Sequence, residues 1–241
     1  MINPNKGDSI FTAWKLDTLD SIAIVVSLWF GYFRYPFEPL FCALACIPII
    51  GITRSISKGN ATFDNYIKNI SSGDSMDLNI VSLYILSVSI ALLVGTFTSF
   101  ECDNYYALAI AGAICFVVFV FILFITHKDI RGAFMLRSKL YIVFILCILF
   151  YSYGLIYGLN CLFDLTKHER YKTKIISLYR SPSEQRLRKY FAVISPWGEH
   201  KSNTEIAIPP EQYWRFKEGD SAYLELHEGL FEIPWYNLND E

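Results

Sequence analysis

From Leu140 to Phe163 the chain carries no charged residue, and Leu78–Phe100 and Tyr105–Thr126 are equally free of charge. A helix needs about 20 apolar residues to cross a bilayer. Lipid offers a backbone no hydrogen-bond partners, so such runs must be helical within it. Tyr105, Tyr106, Tyr141 and Tyr157 mark their ends, as an interfacial aromatic belt would. Ser21–Phe33 and Phe37–Thr53 are shorter apolar runs, interrupted by Arg34, Pro36, Glu38 and Pro39. They read as two short crossings or one re-entrant hairpin, with a single kinked crossing as the alternative. The expected fold is therefore a helical membrane domain over residues 21–162, with hydrophobic segments at 21–33, 37–53, 78–100, 105–126 and 140–162. A polar segment, 1–20, precedes it and reads as no cleavable signal.

Past Asp164 the composition breaks. Eight Lys and Arg fall between Lys167 and Lys189, although only 18% of the whole chain is charged, against about 25% in soluble domains. Residues 166–241 therefore read as a small soluble domain. Tyr171–Leu178, Lys189–Ile194, Asn203–Ile208 and Ala222–His227 are rich in β-branched and aromatic residues and read as strands. Pro209-Pro210-Glu211 opens a short helix that stops at Gly219. The expected module is a twisted sheet or partly closed barrel of four to six strands.

Orientation follows from Lys and Arg in the short loops. The Arg54–Asp77 loop holds Arg54, Lys58 and Lys68, and the His127–Lys139 loop holds Lys128, Arg131, Arg137 and Lys139. The Ser99–Asn104 loop has none, and carries Glu101 and Asp103. The first two loops are thus expected in the cytoplasm, and the Glu101 loop and the C-terminal domain outside. Within the first loop Phe63, Tyr66, Ile67 and Ile70 recur at helical spacing, which predicts a short helix on the membrane surface.

Asn160-Cys-Leu-Phe-Asp164 is followed by a Tyr-Phe-Ala-Val-Ile strand, Trp197-Gly198, Glu211-Gln-Tyr213, Lys217-Glu-Gly219-Asp220 and Gly229-Leu-Phe-Glu-Ile-Pro234-Trp235-Tyr236. This run resembles the C-terminal module of uncharacterised bacterial multi-span membrane proteins. Their pattern has an Asn-x-x-x-Asp helix exit, a Lys-x-Gly-Asp or Pro-Gly-Asp turn, and a closing Gly-Leu-x-Gly-x-Pro-Trp. The resemblance covers about the last 80 residues and departs at Glu232, where the pattern has Gly. It implies a bacterial envelope location and no known activity.

Candidate chemistry is sparse. Cys115 and Cys147 lie in apolar runs and read as packing residues. Cys102 and Cys161 both fall at the outer face in this topology, where an oxidising compartment would permit a disulfide. His127, His168, His200 and His227 show no metal-ligand spacing and read as surface residues. No Asp, Glu, Lys, Arg or His lies within the three long runs, which argues against a proton- or ion-coupled carrier. Gly154-Leu-Ile-Tyr-Gly158, with Ala107 and Ala111 at the same spacing, predicts close helix packing, within one chain or between chains. Lys167, Arg170, Lys172 and Lys174 are candidate contacts for lipid headgroups or a partner. Trp235 and Tyr236 either cap the module's core or meet a partner.

These features predict no cofactor, no metal, no nucleic acid and no catalytic site. The expected protein sits in a bacterial inner membrane, in contact with lipid and with a protein partner or copies of itself. It anchors and displays a β-rich recognition module as a subunit, sensor or scaffold of an envelope complex, toxin immunity included. The alternative is a channel or transporter component with the β module as vestibule or gate.

Overall fold

A computed structural model describes residues 17–33, 36–57, 62–72, 76–127, 138–180, 190–208 and 210–240. The N-terminal segment before Asp17 lies outside them, as do Lys58, Lys128, Arg131, Arg137, Arg186, Arg188 and Lys189 among the basic residues counted above. The long helices are α1 (Thr18–Tyr32), α2 (Phe37–Ser57), α3 (Leu83–Ser99), α4 (Tyr105–Thr126) and α5 (Ser138–Leu162). Among the described residues three helical stretches are, by length and composition, long and apolar enough to cross a membrane: Phe37–Ser57, Tyr105–Thr126 and Lys139–Leu162. Along α4 the large side chains Ile114, Val117, Val118, Phe121 and Ile125 are exposed. A face so apolar is stable against hydrocarbon rather than water, which supports a membrane protein.

Two expectations about helix length are corrected. Leu78–Phe100 is not one continuous helix, because Leu78–Val81 belongs to a strand and α3 has 17 residues. At 17 residues it stands at the lower end of the length that crosses a bilayer, about 17–25 residues. Conversely, the region read as 37–53 continues to Ser57 as a 21-residue helix, despite Pro48 inside it. Proline removes a backbone donor, and the Tyr151 hydroxyl donates to the nearby Ala45 carbonyl at 2.5 Å. The predicted surface helix is also absent. Phe63–Tyr66 forms one 3₁₀ turn, followed by an antiparallel hairpin of β1 (Ile67–Ser72) and β2 (Met76–Val81). Short apolar runs do not distinguish a 3.6-residue from a two-residue period, and here long-range pairing decides.

The chain divides into two compact units. The first comprises Met1–Gly95 and Gly112–Leu155. In it the buried Asp20 of α1 accepts the Tyr84 amide at 2.9 Å. That amide lies in the first turn of α3, whose early N–H groups have no partner within the helix, so α1 caps α3. Gly154 of α5 lies against α3, where a Cβ would come within 2.7 Å of the Leu92 and Leu93 backbone. His127, expected at the surface, is buried instead. Its Nδ1 lies 2.8 Å from the Thr126 hydroxyl and 3.1 Å from the Leu123 carbonyl, and its Nε2 pairs with the Tyr66 hydroxyl at 2.6 Å. This pair joins the segment before the hairpin to the end of α4.

The second unit comprises Thr96–Ala111 and Ile156–Glu241. It holds a six-stranded antiparallel sheet in the order β3 (Glu101–Cys102), β8 (Trp235–Asp240), β7 (Ser221–His227), β4 (Glu169–Arg180), β5 (Tyr190–Ile194) and β6 (Thr204–Ile208), with α6 (Pro210–Arg215) between β6 and β7. Four of these strands and the helix match the sequence expectation; β3 and β8 do not appear in it. The sheet curls into a near-barrel. Alternate side chains, among them Ile175, Ala192, Ile194, Ile206, Ala222, Leu224, Tyr236 and Leu238, fill the interior, as the two-residue strand period requires. β3 comes from the loop between α3 and α4, so the Glu101 loop and the β module occupy the same end of this unit.

Candidate functional site

The second unit is built around the last turn of α5. Asn160 is buried and uses both ends of its amide. Its Nδ2 donates to the Ile233 carbonyl at 2.9 Å, and its Oδ1 accepts the Phe231 amide at 3.0 Å. The Asn160 backbone carbonyl accepts the Leu230 amide at 3.0 Å. One turn on, Asp164 Oδ2 accepts the Gly229 amide at 2.9 Å and the Trp235 indole N–H at 3.3 Å. The two residues together clamp the whole Gly229–Trp235 loop to the helix end. The Asn-x-x-x-Asp exit and the closing Gly-Leu…Pro-Trp segment, far apart in sequence, are thus two halves of one contact. Beneath the clamp Cys102, Leu108, Tyr157, Cys161, Ile233 and Trp235 form a buried cluster, with Ala107 and Ala111 packed against it.

Glu232 is the one residue of the clamped loop that departs from the resembled pattern, and its φ is +57°. An L side chain in this left-handed region costs about 1–2 kcal/mol, which glycine avoids. Glu232→Gly is therefore expected to stabilise the unit by about 1 kcal/mol, part of the relief being lost to a more flexible unfolded chain. Thermal unfolding of the purified variant checks this, and a lower melting temperature would contradict it.

On the sheet's outer face the register sets side chains in rows. His227 lies opposite Trp235, Glu225 opposite both Arg170 and Asn237, and Tyr223 opposite both Lys172 and Asn239. His227 stacks on Trp235 with ring centroids 4.1 Å apart and lies 3.8 Å from Asp164. The His168 ring is 5.2 Å from that of His227, and His168 Nε2 is 3.6 Å from Glu225. Glu225 also takes Arg170 at 2.6 Å and Asn239 Nδ2 at 2.8 Å. Sequence reasoning found no link among these residues, because the histidines are 59 positions apart (227 − 168) and only strand pairing joins them. Among the described residues no cluster of three or more His, Cys, Asp or Glu could hold a metal ion.

Burial alone would raise the Asp164 carboxyl, but hydrogen bonds from Thr166, Gly229 and Trp235 outweigh it and hold the group below the usual carboxylate range. Burial, helped by His168, pushes His227 below the ordinary imidazole value, against Asp164 and Glu225. Both groups bind protons less readily folded than unfolded, so both contributions are complete above the unfolded pKa and vanish as pH falls through the folded one. Acidification is therefore expected to destabilise the unit first below about pH 6.5, through His227, and again below about pH 3.9, through Asp164. His227→Phe, which keeps the stack on Trp235, should remove the first drop from a melting-temperature profile. An identical profile in both proteins would assign that drop elsewhere.

The other anticipated residues sit as follows. Cys102 and Cys161 share the cluster under the clamp, and the structure carries both as free thiols. Burial raises the Cys102 thiol, whose Sγ faces the Pro234 carbonyl. Gly158 is buried in α5. Arg170 is engaged by Glu225, and Lys172 lies over the Tyr223 ring at 5.9 Å. Lys167 and Lys174 are exposed. Trp235 and Tyr236 are buried; Trp235 meets Phe100 edge-on, and Tyr236 meets Trp197 in the sheet core. Compared with known proteins, the chain matches no family model, no curated protein and no solved structure.

Proposed function

We propose that this chain is a non-enzymatic, multi-pass protein of a bacterial inner membrane, which anchors a β module outside the cytoplasm and displays it to a protein partner. The clamp carries this reading. A module needed only as a tethered domain could hang from a flexible linker. Here Asn160 and Asp164 bind the loop before β8 directly to the end of a helix long enough to span a bilayer. That arrangement holds the module directly on the helix end within the second unit, with the Arg170, Lys172 and Lys174 side of β4 exposed. Preorganised presentation lowers the entropic cost of recognition. A subunit, sensor, scaffold or immunity protein of an envelope complex fits this description.

The placement of basic residues in the Arg54 and His127 loops supports a cytoplasmic location for them, with the module on the other side. Reporter fusions test this. A reporter active only in the periplasm should work after Glu241 and fail after Lys139. Activity of a cytoplasm-only reporter after Glu241 would overturn the display reading.

A further inference from the structure

We infer that the clamped loop is itself a membrane-contacting element, seating Leu230 and Phe231 with Phe163 and Leu165 in the boundary between lipid headgroups and acyl chains. This rests on the membrane reading above and adds a second point of attachment to it. All four side chains are exposed, Leu165 at 97% of its possible area. Scattered exposed apolar residues are ordinary, but these four are brought to one level. Phe163 and Leu165 directly follow α5, while the amides of Leu230 and Phe231 are bonded to Asn160 in its last turn. The stretch Lys139–Leu162 is 24 residues long, about 36 Å at 1.5 Å per residue. Its end therefore reaches the interface on whichever side it faces.

The same end of the unit holds a second observation. Tyr105 and Tyr106 begin α4, and both are exposed, while Leu108 one turn later packs in the cluster with Cys161 and Ile233. Exposed tyrosines at the start of one spanning helix, level with exposed Phe and Leu at the end of another, form the aromatic belt expected at a bilayer surface. Lys167, exposed two residues beyond Leu165, can lay its stem on this surface while its ammonium reaches the headgroups. Glu228 and Glu232, both exposed, flank the apolar pair in sequence. A bilayer accepts this mixture of apolar tips and charged flanks at one depth.

The test uses the full chain in liposomes of phosphatidylethanolamine and phosphatidylglycerol, with photoreactive benzoylphenylalanine placed singly at four positions. Val117, exposed on α4, reports whether the helices lie in lipid at all. Phe231 and Leu165 report the proposed contact, and Trp214, 72% exposed on α6, serves as the water-facing reference. Lipid adducts at Phe231 and Leu165 should approach the Val117 yield and exceed Trp214 by roughly tenfold, the partition ratio that burial of one large apolar side chain produces. Adducts at Val117 but not at Phe231 or Leu165 would overturn this inference and leave the membrane reading standing. An equal yield at Trp214 would also overturn it, since the module would then touch lipid without preference. No adduct at Val117 would overturn the membrane reading and this inference with it.

Discussion

Replacing Gly229 with alanine is expected to destabilise the C-terminal unit by about 3 kcal/mol or more. Its φ is +78°, and an added Cβ would meet the Ile233 carbonyl and lie 2.5 and 2.6 Å from the amide atoms of Asn160. Asn160 cannot turn aside without cost. Its amide satisfies the Ile233 carbonyl and the Phe231 amide, and each buried group left unpaired costs about 1–3 kcal/mol. Backbone strain at Gly229 adds to that. Unfolding of the detergent-solubilised variant, followed by tryptophan fluorescence, measures the effect. A loss below about 1 kcal/mol would show that the loop adapts and that the clamp does not hold it.

An effect of similar size is expected for Gly154→Leu, for a different reason. The atoms nearest a Cβ there are Leu92 C and Leu93 N, both at 2.7 Å. These are backbone of α3, so no side chain can swing away, and α5 must separate from α3. Overpacking of this kind costs about 1–3 kcal/mol, and more where backbone is involved. Leucine is strongly apolar, so membrane insertion should be unaffected. The sequence left open whether this glycine serves packing within one chain or between chains; α3 of the same chain occupies its face. A lower melting temperature with unchanged oligomeric size is the expected result. A smaller species at unchanged melting temperature would place a second copy at this position.

What the sequence made legible follows from the length of each signal. α4 and α5 were readable because more than 20 apolar residues in succession admit no other structure in lipid. β4 was readable because its alternation runs through Thr173, Ile175 and the basic residues between and before them. β8 was not, since Asn237, Asn239 and Asp240 have low strand propensity, and only Tyr236 and Leu238 turn toward the core. β3 is two residues long and exists only through its partner. The β1–β2 hairpin was hidden because Leu78–Val81 runs into α3 without a change in hydropathy. At the site, Asn160, Asp164 and the Gly229–Trp235 segment were visible as a motif. Their mutual bonds were not, because spacing along the chain carries no information on which backbone groups lack a partner.

The pairing of β3 with β8 has a consequence for biogenesis. Cys102 and Pro234 touch although they are 132 residues apart. Closing so long a loop costs entropy that is recovered only when both ends are present, and such distant pairing slows folding. During synthesis the Glu101–Cys102 segment emerges early and waits, its edge open, until α5 has been inserted and residue 235 has left the ribosome. A chain interrupted before that point carries membrane helices but no closed module. It exposes an unpaired strand edge and leaves the Asn160 amide without its loop partners.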